Sequence, residues 1–98
     1  MTRQVSLHEL AELELNDAAD FYESKQPGLG RSFILEAQQA VLQIRDNPEA
    51  ASVVKGTARR KIMKRFPYNV IYSLAGDTIR ILAIASQKRR PFYWRGRV

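Results

Sequence analysis

The chain predicts an α+β fold of order β-α-α-β-β-β, a helix hairpin packed on one face of a small, mainly antiparallel four-stranded sheet. Three observations carry that expectation. Residues 8–46 hold two amphipathic helical stretches split by a proline–glycine break. Residues 60–86 then switch to a strand-like period of two, and a short alternating segment precedes them all.

The first strand is Gln4–Leu7, where Val5 and Leu7 alternate with polar neighbours. From 8 to 25 the spacing is helical, with Leu15, Ala18, Ala19 and Tyr22 on one stripe. Glu12, Glu14, Asp17, Asp20 and Glu23 fall mainly on the other faces and read as a solvated surface. Pro27, Gly28 and Gly30 interrupt the pattern. A second helix over 31–46 presents Phe33, Ala37, Ala40, Val41 and Ile44. Asn47-Pro48 ends it, because a residue before proline is driven out of the helical region. So short a break makes the pair an antiparallel hairpin with a shared core.

Residues 49–58 read as a polar loop. Residues 60–66 alternate, with Ile62 and Phe66 opposite Lys61 and Arg65, and Pro67 makes a turn. A strand over 69–74 and another over Thr78–Ser86 are joined by Ala75-Gly76-Asp77, which supplies a glycine to the hairpin. In the last strand Ile79, Ile81, Ala83 and Ala85 are expected on one face, and Leu82 and Ile84 on the other. Apolar residues on both faces make it the candidate central strand.

Ninety-eight residues, 45% hydrophobic and 27% charged, suit one folded domain spanning 1–98. The absence of cysteine excludes disulfides, thiolate chemistry and cysteine-based zinc sites. A single histidine, His8, is read as a helix cap or a surface residue, so no metal or cofactor is expected. No apolar run approaches the roughly 18 residues of a membrane span, and no signal peptide is legible. The expectation is a cytoplasmic protein with no membrane association.

Charge is divided unequally. Residues 49–98 carry 12 Lys and Arg against Glu49 and Asp77, whereas residues 1–48 carry 4 against 8 acidic residues. A positive field on one part of a domain points to an acidic or polyanionic partner. The densest group is Lys88-Arg89-Arg90, followed at once by Pro91, Phe92, Tyr93 and Trp94. Cations beside planar rings suit stacking and cation–π contacts at an interface. Phe92 and Trp94 would equally pin the C-terminal segment to the sheet. Lys61, Lys64 and Arg65 either line a basic sheet face or are ordinary polar alternation. Arg80 is either an anchor for phosphate or carboxylate, or the partner of an acidic helix residue such as Glu36. Tyr22, Tyr68 and Tyr72 are core or turn residues. Gly28 and Gly30 lie between helices rather than after a strand, so they do not form a phosphate loop.

Four segments together resemble the RelE/ParE superfamily of toxins from bacterial toxin–antitoxin modules. They are ELAELELNDAADFYES, PGLGRSFILEAQQAVLQIRDNP, KRFPYNVIYSLAGDTIRILAIAS and KRRPFYW, nearly the whole chain. The resemblance implies one of two activities. Ribosome-dependent ribonucleases of the superfamily cut mRNA without metal, using Lys, Arg and a C-terminal Tyr. Lys61, Arg89, Arg90 and Tyr93 would match those roles. The second strand lysine falls on Met63, however, and the arginine expected after Tyr68 is Asn69. The ParE-like branch fits better in its FPY turn, ILAIA strand and basic RPFYW ending, although its usual histidine is Ser86. That branch implies a non-catalytic inhibitor of DNA gyrase and replication, neutralised by a cognate antitoxin. Lys61, Lys64, Arg65, Arg80, Lys88, Arg89, Arg90, Tyr93 and Trp94 are then the candidate target and antitoxin contacts. A non-catalytic nucleic-acid-binding module is the further alternative.

Overall fold

The computed structural model describes residues 3–97. In chain order the elements are β1 (Gln4–Leu7), α1 (Glu9–Lys25), α2 (Leu29–Asp46), β2 (Ser52–Lys55), β3 (Ala58–Ile62), β4 (Tyr68–Ala75) and β5 (Thr78–Ser86). The sheet runs β1-β5-β4-β3-β2, with β1 parallel to β5 and every other pair antiparallel. It therefore has five strands rather than the expected four. The extra strand, β2, falls inside the stretch read as a loop. Its four residues carry a bulge between Val53 and Lys55, so no regular alternation marks it. β5 is an interior strand, but the middle position belongs to β4.

The helix hairpin is tied at both of its starts. His8 Nδ1 accepts from the Leu10 amide at 3.1 Å, capping α1 as expected. α2 begins at Leu29, two residues earlier than the pattern indicated, after Gly28 in the left-handed region at φ 88°. Gly28 has no side chain to cap with, and the Glu23 carboxylate substitutes from the end of α1. It accepts from the amides of Gly28 and Gly30, each at 3.0 Å. Gly30 is fixed by crowding instead. A Cβ placed there would lie 2.4 Å from the backbone oxygen of Ala19. Gly30→Ala should therefore force the helices apart and cost about 1–3 kcal/mol, read as a shift in denaturation midpoint. An unchanged midpoint would mean that the hairpin splays freely.

Between helices and sheet lies the main core, in which Phe33, Tyr72, Ile79 and Ile81 are fully buried. Phe33 stands at its centre, its ring 5.4 Å from Tyr22, 5.1 Å from Phe66 and 5.0 Å from Tyr68. The Tyr72 hydroxyl donates to the Pro48 carbonyl at 2.6 Å, which fastens the α2–β2 connection to the sheet. Arg59 does the same from β3, donating to the carbonyls of Glu49 and Ala51 at 3.0 and 2.7 Å.

Two local features depart from simple alternation. β3 stops at Ile62 because the next residues turn inward rather than continue the ladder. Met63 and Phe66 are both buried, and the amides of Lys64 and Arg65 donate to Glu36 Oε2 at 2.6 and 3.0 Å. In β5 the register against β4 slips between Ile71 and Tyr72, which pair with Ala83 and Ile81. Leu82 is the extra residue of a bulge, and it resets which side chains face where. Ile79, Ile81 and Ile84 join the core under the helices, while Leu82, Ala83 and Ala85 turn to the opposite face. Leu82 thus lies opposite Ile79 and Ile81 as expected, and the split of this strand is corrected from Ala83 onward.

The face away from the helices carries a second, smaller apolar cluster of Ala58, Ile71, Leu82, Ala83 and Ala85, covered by Trp94. Among the described residues, no helix is long and apolar enough to cross a membrane.

Candidate functional site

The site is built where the C-terminal segment returns over the open face of the sheet. Past β5, the Gln87 amide donates to the Pro67 carbonyl at 2.9 Å and the Arg89 amide to Ser86 at 3.0 Å. Two further turns follow, closed by Arg95 donating to Phe92 at 3.0 Å and Arg97 to Trp94 at 3.2 Å. Phe92 makes the tightest bend, in the left-handed region at φ 62°. That conformation is costly for a residue with a Cβ, and it holds because Tyr93 and Trp94, which follow it, are both anchored. Trp94 is only 6% exposed on the second apolar cluster, and the Phe92 ring meets it edge-on at 5.9 Å.

The other anchor is a carboxylate from helix α1. Glu14 Oε1 accepts from Arg97 Nη1 at 2.9 Å and from the Ile84 amide at 3.1 Å. Its Oε2 accepts from the Tyr93 hydroxyl at 2.8 Å and from Arg97 Nη2 at 3.0 Å. Arg97 also donates to the Leu82 carbonyl at 2.9 Å. One acid therefore ties together the first helix, the bulge in β5 and the C-terminal segment. The Arg97–Glu14 contact is two-pronged and mostly shielded from water, the geometry in which such pairs are strongest.

Tyr93 is the centre of this arrangement. The Arg89 guanidinium lies 3.9 Å from its ring centroid, and that of Arg97 lies 5.2 Å away. Burial raises the Tyr93 phenol well above its ordinary value, and the hydrogen bond and charge of Glu14 raise it further. The two arginines offset only part of this. At neutral pH the hydroxyl keeps its proton and gives it to Glu14 in a hydrogen bond, which makes it a poor proton donor to anything else.

Between this segment and the open sheet face lies a cleft of about 280 Å³. Arg60, Asn69, Gln87, Arg89 and Arg90 line it, with Phe92 and Trp94 among its apolar walls. Lys55, Arg80 and Arg95 line a second hollow on the other side of Trp94. The open face is therefore basic on both sides of the tryptophan.

The structure gathers four of the sequence-selected residues, Arg89, Arg90, Tyr93 and Trp94, with the exposed Lys88 beside them. It does not bring Lys61, Lys64 and Arg65 to the same place. Lys61 pairs with Val70 and so lies on the helix side, while Lys64 and Arg65 are exposed in the turn after β3. Arg80 pairs with Ser73 on the open face and donates to Ser6 Oγ at 3.3 Å, whereas Glu36 serves the turn amides. Three residues were missed. Arg60 was legible, because alternation places it with Ile62, opposite Lys61. Glu14 and Arg97 were not, since nothing local distinguishes them from neighbouring charges. Among the described residues, no group of three or more His, Asp or Glu is placed to hold a metal ion.

Comparisons with known proteins agree with this architecture. The chain matches a solved structure described as the chromosomal ParDE TA system from P. aeruginosa, with a TM-score of 0.77 at 16% identity. The match covers 87% of this chain and 96% of that one, which establishes a shared fold. No curated protein matches the chain. The family profile described as the ParE toxin of the type II toxin–antitoxin system parDE matches residues 5–91. With that match spanning both helices, the whole sheet and the start of the C-terminal segment, the chain belongs to the ParE toxin family of type II toxin–antitoxin systems.

Proposed function

We propose that this toxin acts in the cytoplasm by binding DNA gyrase without hydrolytic chemistry of its own, and that a cognate antitoxin neutralises it. The observation that carries this reading is the anchored C-terminal segment. Trp94 and the Glu14–Arg97 contact fix its path, which leaves Lys88, Arg89 and Arg90 exposed on a rigid support. Cations and rings held in place lose little entropy on docking, which favours protein recognition. The exposed positive charge also suits an acidic antitoxin segment. Support for a non-hydrolytic mode comes from Tyr93, whose hydroxyl is engaged by Glu14, and from Lys61, which is directed to the helix side.

A supercoiling assay with purified gyrase tests the proposal. The wild-type toxin should inhibit, and reversing the charge of both Arg89 and Arg90 should raise the required concentration by at least about tenfold. Unaffected gyrase at a large toxin excess would rule out this target. Ribosome-phased cuts in mRNA after induction would then favour the ribonuclease reading.

A further inference from the structure

The cleft under the C-terminal segment collects three guanidinium groups and gives them no counter-ion. Arg60 reaches it from β3, opposite Ile71, while Arg89 and Arg90 come from the turn after β5. No carboxylate lines the cavity. Among the described residues, the Arg60 and Arg90 side chains have no hydrogen-bond, ion-pair or ring partner, and the Arg89 side chain has only the Tyr93 ring. The contrast with Arg59 and Arg97 is informative, because both of those are used up on carbonyls or on Glu14. Like charges that share one small cleft repel, so the arrangement is stabilised by a bound anion. The fold holds the groups there regardless, since β3 is paired on both sides and the segment is pinned at Trp94 and Arg97.

The donor set indicates which anion fits. Three guanidinium forks offer more hydrogen bonds than the two oxygens of a carboxylate can use, whereas the terminal oxygens of a phosphate accept from all three. Gln87 Nε2 donates to Asn69 Oδ1 at 3.2 Å, which leaves the Asn69 amide nitrogen as one more donor in the cleft. A volume of about 280 Å³ is larger than a phosphate alone requires, and the remaining wall is apolar, including Ile71, Pro91 and the Phe92 ring. We propose that this cleft binds the phosphate group of a nucleotide, with its base against Phe92. A duplex keeps its bases stacked inside, so the ligand is either a free nucleotide or the phosphorylated end of a single strand, each of which presents three terminal oxygens. Nucleotide binding here neither requires nor excludes gyrase as the target.

Trp94 is the sole tryptophan of the chain and lines the cleft, so its fluorescence reports occupancy. The full-length protein would be titrated with inorganic phosphate, a nucleoside 5′-monophosphate, a short single-stranded oligonucleotide with a phosphorylated end, a duplex of equal length and a glutamate-rich peptide. A saturable response to the mononucleotide, tighter than that to phosphate, is expected. Arg60→Gln and Arg90→Gln should each weaken it by about tenfold or more, while Lys61→Gln and Lys64→Gln, which remove the same charge elsewhere, should change it by less than about twofold. Both arginines are exposed and unpartnered, so a thermal melt should show these variants folded. Tighter binding of the single strand than of the mononucleotide would identify a nucleic-acid strand as the source, and equal binding a free nucleotide. The inference is overturned by the absence of saturable binding, by equal losses in the lysine variants, by a preference for duplex, or by a glutamate-rich peptide that binds at least as tightly as the nucleotide.

Discussion

Replacing Glu14 with alanine should lower stability by about 3–5 kcal/mol, because it strands the mostly buried Arg97 charge along with two other donors. The measurement is the denaturant midpoint, with Arg97→Ala and the double variant completing a cycle. A coupling near zero would mean that the contact contributes packing alone. The same site shapes the alkaline limb of the stability curve. Tyr93 titrates higher in the folded state than in the unfolded chain, where a phenol ionises at about 10. Its contribution is therefore complete below about pH 10 and is lost as the pH rises past that value toward the folded one. Tyr22, Tyr68 and Tyr72 are raised mainly by burial and act in the same direction. Tyr93→Phe should flatten the alkaline decline without abolishing it.

Trp94→Ala should be comparably severe, at about 3–5 kcal/mol, since it empties the cover of the second apolar cluster. Its effect on docking should exceed its effect on folding. With Trp94 gone, Phe92 loses its edge-on partner, and little then compensates its left-handed backbone. The segment carrying Arg89 and Arg90 would lose its fixed course, and binding to any partner would bear the entropy of ordering it. Comparing affinity with residual helical signal separates the two. A variant that remains folded and binds as wild type would show that the segment needs no anchor.

The helix hairpin was readable because its signals are local. Asn47-Pro48 ends α2, and Phe33, Ala37, Ala40 and Ile44 recur at helical spacing and are all buried. The β4–β5 hairpin was readable for the same reason, through Gly76 and the alternation beside it. β2 was not, because four residues with a bulge leave too little pattern to detect. The facing of Ala83, Ile84 and Ala85 in β5 was not either, because a bulge shifts the faces without altering composition. At the site, Arg89, Arg90, Tyr93 and Trp94 stood out as a cluster in sequence. Arg60 and Glu14 join them only through strand pairing and helix placement, which no run of neighbouring residues encodes.

β1 lies parallel on the outer edge of β5, and Glu14 meets Arg97 across 83 positions of sequence. Order of synthesis therefore matters. β1 has no partner until β5, the last described strand, has followed it, and Glu14 waits longer still for Arg97. Contacts so distant along the chain form late, after loop closure has been overcome. Partly made chains can hold the helix hairpin but not the finished cleft. The surface proposed to meet partners is thus assembled late, only after β5 and the segment that follows it have been made.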